Sequence, residues 1–357
     1  GQRVAGVTHE HPALAWNDSQ WAVVWSRNET GSSELHFRWL SGDGVTLGGF
    51  ILLALKYIEI SWRNPEGGGV VTITTKAFGP LWGCLGGMLI TVDYFLTTAI
   101  SAVSGFQYIG SAFPAIDAHI VLLSCIGVGA LAALNIVGIR ESAAASLVMA
   151  VASFVVNLIV IGAAVVTMDA AQWHSVIGKL GTGNGISTYE LLVGFASAWL
   201  AFSGLESISQ LSPTMRLPLR RTTRWAMAAV IITMVITSPV LTALSIGLLP
   251  TQFKAAESER FISELGMIVG GLGVKLAVVC TASSLLLFAS NTAIIGSYHV
   301  FLALVRSDFL PKIIAVRNAG FNTPHIAVGI ATIIPVLVIL ASGGEASNRW
   351  YQLVAQG

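Results

Sequence analysis

The sequence predicts an all-α polytopic membrane bundle of about eight transmembrane helices behind a short β-meander, and three observations carry that expectation. Composition is the first. Of 357 residues, 54% are apolar and 10% charged, whereas a soluble domain carries roughly 25% charged residues and needs them to stay dispersed. The second is the recurrence, from residue 47 onward, of apolar runs of about 20 residues, each long enough at 1.5 Å per residue to cross roughly 30 Å of hydrocarbon. The third is an uneven division of basic residues between alternate loops, as the positive-inside rule requires.

Residues 1–46 form a separate unit. They hold four of the ten tryptophans and eight charges, against 29 charges in the remaining 311 residues. Stretches 13–16, 20–25 and 34–40 are rich in Val, Trp and Phe and are separated by Asn17-Asp18-Ser19 and Asn28 to Ser33, which is strand and turn chemistry. The unit resembles one repeat of the β-propeller-like proteins secreted by bacteria, with its Ala15-Trp16-Asn17-x-Ser19 turn and Val23-Val24-Trp25 strand. A lone three-stranded meander buries only one face, so weak order is expected.

Apolar length read against breakers gives spans at 45–61, 82–109, 119–137, 143–167, 190–208, 224–248, 266–303 and 323–341, followed by a tail at 342–357. The seventh, about 57 Å long if unbroken, must tilt, project from the membrane or bend near Gly296. Projection into the cytoplasm is the simplest of these. One set of loops holds Arg63, Lys76, Arg140, Arg216, Arg220, Arg221, Arg224, Arg306, Lys312 and Arg317, and the other only Lys179, Lys254 and Arg260. The first set is therefore cytoplasmic, and residues 1–46 and 342–357 lie outside.

Ionisable groups within spans are costly in hydrocarbon and are candidates for a substrate or ion path. Lys56, Glu59 and Lys275 lie near span ends, where snorkelling to the interface is the commoner outcome. Asp93 is near mid-helix and needs a partner or a proton. Glu206 closes the stretch Phe202-Ser203-Gly204-Leu205-Glu206, in which a glycine flanked by hydroxyls and a carboxylate interrupts an apolar helix. Either Gly204 lets two helices approach closely, or the helix breaks there and frees backbone groups for a ligand. Thr281, Ser283 and Ser284 are candidate ion-coupling oxygens, although membrane-helix hydroxyls usually bond their own i−4 carbonyl.

Tyr57-x-Glu59-Ile60, Pro65-x-Gly67-Gly68, Ala77-Phe78-Gly79, Asp93-Tyr94, Asn135 with Gly138 and Ser142, the stretch Phe202 to Glu206, and Arg306-Ser307-Asp308-Phe309-Leu310-Pro311 with Thr323-Pro324 occur in one order along 47–341. Together they resemble the amino acid permease branch of the amino acid, polyamine and organocation transporter superfamily. That resemblance implies a partial inverted-repeat fold of the leucine transporter type, this chain's spans matching family helices two to nine. Substrate then sits at mid-membrane against Phe202, Ser203, Gly204, Leu205 and Glu206, with Phe202 as an apolar gate and Tyr94 facing the same cavity. Asp93, Thr281, Ser283 and Ser284 are the candidates for coupling to H+ or Na+.

The function so implied is secondary active transport of an amino acid or related amine by alternating access, in the inner membrane of a bacterium. Alternating access needs both repeats, so these spans by themselves are expected to be inactive. Two rivals remain: an outward-facing binding or adhesion module on a membrane anchor, and a join of two unrelated fragments without function. No cofactor is implied. Nucleic acid is excluded as a partner by the near-zero net charge, and a metal site by the isolation of Cys84, Cys125 and Cys280. No nucleophile, base and orienting group share one depth, so an enzyme is not expected.

Overall fold

The computed structural model describes residues 13–17, 20–29, 32–38, 44–181, 204–210, 212–249 and 260–343. Strands β1 (Ala13–Asn17), β2 (Gln20–Glu29) and β3 (Ser32–Arg38) pair as an antiparallel meander in the order β1-β2-β3, with Trp16 opposite Trp21 and Ser26 opposite Leu35. The helices are α1 (Gly44–Arg63), α2 (Gly69–Phe78), α3 (Pro80–Ala112), α4 (Ile120–Val137), α5 (Ile139–Thr167), α6 (Ala170–Gly181), α7 (Ser207–Gln210), α8 (Leu219–Leu248), α9 (Phe261–Arg306) and α10 (His325–Ser342).

Six segments among the described residues are long and apolar enough to cross a membrane: Pro80–Ala112, Pro114–Val137, Ala144–Thr167, Leu219–Ser245, Phe261–Arg306 and His325–Ser342. The chain is an all-α polytopic membrane bundle. Of the eight expected spans, the first is helix α1, which carries Lys56, Glu59 and Arg63 in its second half. The fifth, 190–208, falls outside the described residues as far as Ala201-Phe202-Ser203. Leu122 and Ile126 on α4, Leu147, Val151 and Val155 on α5, and Ile333, Leu337 and Leu340 on α10 are exposed at helical spacing. That is the apolar stripe a helix turns toward lipid.

Helix α2 lies where a loop was expected. Its Val70-Val71-Thr72-Ile73-Thr74-Thr75 run is β-branched and a poor helix former, but packing decides the matter. Gly79 and Pro80, the latter at the first position of α3, turn the chain back so that α2 runs along the start of α3. A Cβ on Gly87 would stand 2.8 Å from Val71 Cγ2, so the small residues of α3 are what lets the two helices touch.

Helices α3 and α9 form the central pair. Their interface is built from small and hydroxyl side chains, with Thr98, Ser101, Ala102 and Ser104 buried on α3 and Ala293, Ser290 and Ser297 on α9. At Gly296 a Cβ would stand 2.7 Å from Cε2 and Cζ of Tyr94, so the tyrosine ring lies directly on the α9 backbone. One turn and a half further along, the Ser290 hydroxyl donates to the Thr98 carbonyl at 3.0 Å. Around this pair, Val103, Val128, Ile294, Tyr298 and Val328 make one core with α4 and α10, and Val160, Leu244, Leu265 and Leu286 make a second with α5 and α8. Asn135 of α4 donates to Asn291 of α9 and to Leu131 of its own helix, and Thr323 donates to the Ile136 carbonyl at 2.9 Å.

Of the three ways offered for the long seventh span, projection being the simplest, the structure shows a bend, and it lies at Gly271 and not near Gly296, with φ +68° and ψ −165°. That backbone region belongs essentially to glycine. It reverses the chain: a Cβ on Gly266 would stand 3.5 Å from the Lys275 Cα, and Lys275 Nζ meets Glu264 Oε1 at 2.6 Å. Residues eleven apart in a straight helix would be about 16 Å apart along the axis, beyond the reach of that pair. Lys275, expected to snorkel, is therefore largely buried against a carboxylate. Gly296 serves the contact with Tyr94, not a bend.

Within each of the two loop sets, segments distant in sequence are tied together in space. Arg306 Nη1 donates to the Glu66 carbonyl at 3.2 Å at one end of the bundle, and Arg260 pairs with Asp117 at 3.6 Å at the other.

Two outcomes follow. Gly296→Ala overpacks the α3–α9 contact and lowers stability by about 1–3 kcal/mol, read as a drop in unfolding temperature in detergent; combining it with Tyr94→Leu restores part of the loss. Lys275→Met strands Glu264 and costs about 3 kcal/mol, while Lys275→Met with Glu264→Leu recovers most of it in the same assay.

Candidate substrate site

Gly204 takes φ +100°, which a helix cannot contain, and residues Gly204, Leu205 and Glu206 form a turn from which α7 starts. The local hydrogen bonds show how the turn is held. The carbonyls of Gly204, Leu205 and Glu206 accept from the N–H groups of Ser207, Ile208 and Ser209 at 3.1, 3.3 and 2.8 Å, winding α7. The Gly204 N–H donates to both carboxylate oxygens of Glu206, at 3.0 and 2.9 Å. The side chain of Glu206 thus reaches back two residues and occupies the main-chain donor where the sequence suggested a substrate carboxylate could sit.

Around Glu206, which is 6% exposed, α1 and α3 supply the remaining groups. Tyr94 is 1% exposed; its hydroxyl lies 3.4 Å from Ser207 Oγ and is close enough to the Glu206 carboxylate to interact with it electrostatically. Asp93, half-buried on the neighbouring position of α3, lies within electrostatic reach of Glu206, and so does Tyr57 from α1. Tyr94 can take this position because Gly296 leaves room for its ring. Helices α3 and α7 carry no Lys or Arg, and Lys56 of α1 is exposed and turned to Glu59 at 3.4 Å. The centre is therefore acidic and lined by hydroxyls.

Of the residues singled out from sequence, Tyr94, Gly204, Leu205, Glu206 and Asp93 gather here, with Leu205 buried beside Ala54 and Met227. Phe202 and Ser203 lie outside the described residues. Thr281, Ser283 and Ser284 stand apart on α9, each donating to its own helix, to the carbonyls of Ala277, Cys280 and Cys280 at 2.8, 3.2 and 2.7 Å. Sequence reasoning quoted Tyr57 as part of a motif and overlooked it as a site residue. The missed signal is a tyrosine in an apolar stretch, which needs a polar neighbour for its hydroxyl.

The far wall is the Pro65-x-Gly67-Gly68 turn. Gly69 abuts Ser209 and Gln210, and a Cβ on Gly68 would stand 2.9 Å from the Ala303 Cβ, so this turn ties the end of α7 to the end of α9. Lys76 Nζ meets Glu66 Oε1 at 2.8 Å across it. That hydrogen bond is the main reason the Glu66 carboxyl is held below its ordinary value.

Two carboxylates and two tyrosines thus gather at the Gly204–Glu206 turn, inside a bundle of helices long and apolar enough to cross a membrane. The amino acid permease family matches residues 33–356, and the chain belongs to that family. The match begins inside β3 and takes in the tail. Over 302 residues the chain is 30% identical to the potassium transporter KimA of Bacillus subtilis, covering 82% of this chain and 48% of that protein. It is 23% identical over 284 residues to the polyamine transporter RMV1 of Arabidopsis thaliana (77% and 55% covered). It is 24% identical over 306 residues to the chloroplastic cationic amino acid transporter 9 of the same plant (76% and 51% covered). The chain spans about half the length of these curated relatives.

Gly204→Ala forces a side chain into a φ that costs about 1–3 kcal/mol and displaces Glu206 from the backbone donor. The expected result is a protein that still inserts and runs monodisperse but has lost ligand-induced stabilisation, measured by thermal unfolding with and without substrate.

Proposed function

We propose that this chain forms the substrate-binding part of a secondary transporter that carries a small, positively charged solute, an amine-bearing amino acid or related amine, by alternating access across a bacterial cell membrane. One observation carries this: Glu206 already occupies the Gly204 N–H, so the break offers carboxylate and hydroxyl oxygens instead of amide donors. An ammonium group meets such a set with charge-assisted hydrogen bonds, and an anionic substrate meets two like charges. The relatives named above support the same sign of charge, since polyamines and cationic amino acids are carried as cations. Alternating access is the expected mode because the broken segment packs against α1, α3 and the Gly67-Gly68 turn, elements that can rock past one another about a central site.

A second reading is favoured by the 30% identity to a potassium transporter. The oxygens of Tyr57, Tyr94, Ser207, Asp93 and Glu206 are hard donors of the kind that suits an alkali cation. The amine and the ion make the same demand for negative charge and differ in whether directional N–H donors are used.

The test is thermal stabilisation of the purified protein by lysine, putrescine, potassium chloride and glutamate, each against N-methylglucamine chloride. A ligand at one hundred times its dissociation constant stabilises by about 2.7 kcal/mol. Lysine or putrescine is expected to stabilise, glutamate to do nothing, and Glu206→Gln to abolish the effect. Stabilisation by potassium alone selects the second reading. Glutamate acting as well as lysine, with Glu206→Gln unaffected, would refute both.

A further inference from the structure

The start of α8 and the turn before it carry Arg216, Arg220, Arg221 and Arg224 within nine residues, all exposed, and among the described residues none of them is ion-paired with a carboxylate. Like charges four apart on a helix repel, so this density asks for an anion from elsewhere. The patch has a fixed edge. The Trp62 ring at the end of α1 is flanked by two guanidinium groups, that of Arg63 at 5.3 Å and that of Arg220 at 5.5 Å from its centroid. Arg63 is already turned to Glu59 at 2.8 Å. Among the described residues, Arg220 meets the indole and no carboxylate, a contact that orients the guanidinium plane without neutralising it.

Beside the arginines stand large apolar side chains: Leu217, 83% exposed, and Trp225, 70% exposed. Trp225 lies one turn beyond Arg221 on the same face of α8, just where the membrane-crossing segment Leu219–Ser245 begins. A small inorganic anion would satisfy the arginines and leave Leu217 and Trp225 bare. A ligand with a phosphodiester and an acyl chain covers both at once. Basic clusters next to a membrane helix take anionic headgroups in this manner, each basic residue adding about 1 kcal/mol.

We infer that the α1–α8 junction, built from Trp62, Arg216, Arg220, Arg221, Arg224 and Trp225, is a binding site for the headgroup of an anionic phospholipid. Arg220, stacked on Trp62, is the group that grips the phosphodiester with defined geometry, and Trp225 seats the glycerol and first methylenes at the membrane interface. The site is separate from the substrate centre and does not depend on what is transported.

The experiment is a titration of the purified protein in neutral detergent with dioleoylphosphatidylglycerol, with dioleoylphosphatidylcholine and with inorganic phosphate, followed by thermal unfolding, and by native mass spectrometry for lipid retained. Phosphatidylglycerol is expected to stabilise saturably, with an effect that shrinks as salt is raised, while the other two do not. Arg220→Gln with Arg224→Gln should raise the half-saturating concentration roughly 30-fold, the factor for two lost basic contacts. Arg220→Lys and Trp62→Leu, which keep the helix charge but break the stack, should each raise it by less. Phosphatidylcholine stabilising equally, phosphate alone sufficing, or the double glutamine variant retaining wild-type half-saturation and lipid adducts would each overturn the assignment.

Discussion

The arrangement depends on the contact between Tyr94 and the bare backbone of Gly296. Two helices that carry the centre of the bundle come close enough for a tyrosine ring to lie on a helix with no side chain beneath it. In a membrane there is little hydrophobic gain in bringing helices together, because lipid is as apolar as leucine, so fit and hydrogen bonding decide. The Ser290 hydroxyl on the Thr98 carbonyl and the buried Asn135–Asn291 pair supply the second of these. The ring's position also sets its hydroxyl, 3.4 Å from Ser207, at the start of the helix that follows the break. One steric fit therefore holds the scaffold and orients the site.

The chemistry at Gly204 runs against the simplest expectation for a glycine in such a stretch, a main-chain donor left open to a ligand carboxylate. Unwound membrane helices often leave main-chain donors free for a carboxylate. Here Glu206 folds back onto the Gly204 N–H and supplies that carboxylate from within the chain. The acidic character of the centre then comes from two side chains, Glu206 and Asp93, with no basic residue on α3 or α7 to balance them.

Much of the bundle was legible because its signal is one-dimensional. An apolar run of membrane length requires a helix, since no other open structure satisfies its own backbone in lipid. The spans through α3, α4, α5, α8 and α10 accordingly fall within a few residues of their expected limits. What escaped were features set by packing between distant segments. Helix α2 has the residue types of a strand and is helical only because Gly83 and Gly87 of α3 receive it. The sequence of α9 offers several glycines as bends, and only the pairing of Glu264 with Lys275 distinguishes Gly271 from Gly296. At the site, Gly204 and Glu206 were readable as a glycine and a charge out of place in an apolar stretch. That they bond each other was not, because the same spacing in a helix would turn them apart.

The reversal at Gly271 leaves 272–306 as one rod of about 52 Å, pressed against its neighbour at Gly296. That contact divides the rod unequally, with about 25 residues on the side of Gly271 and about ten on the side of Arg306. Helix α3 meets the same rod again at Ser283, Ser290 and Leu304, so the two helices are seamed along most of their length and not pinned at one point. The pair is therefore one stiff two-helix unit, and the Gly68 turn lies against its Ala303 end.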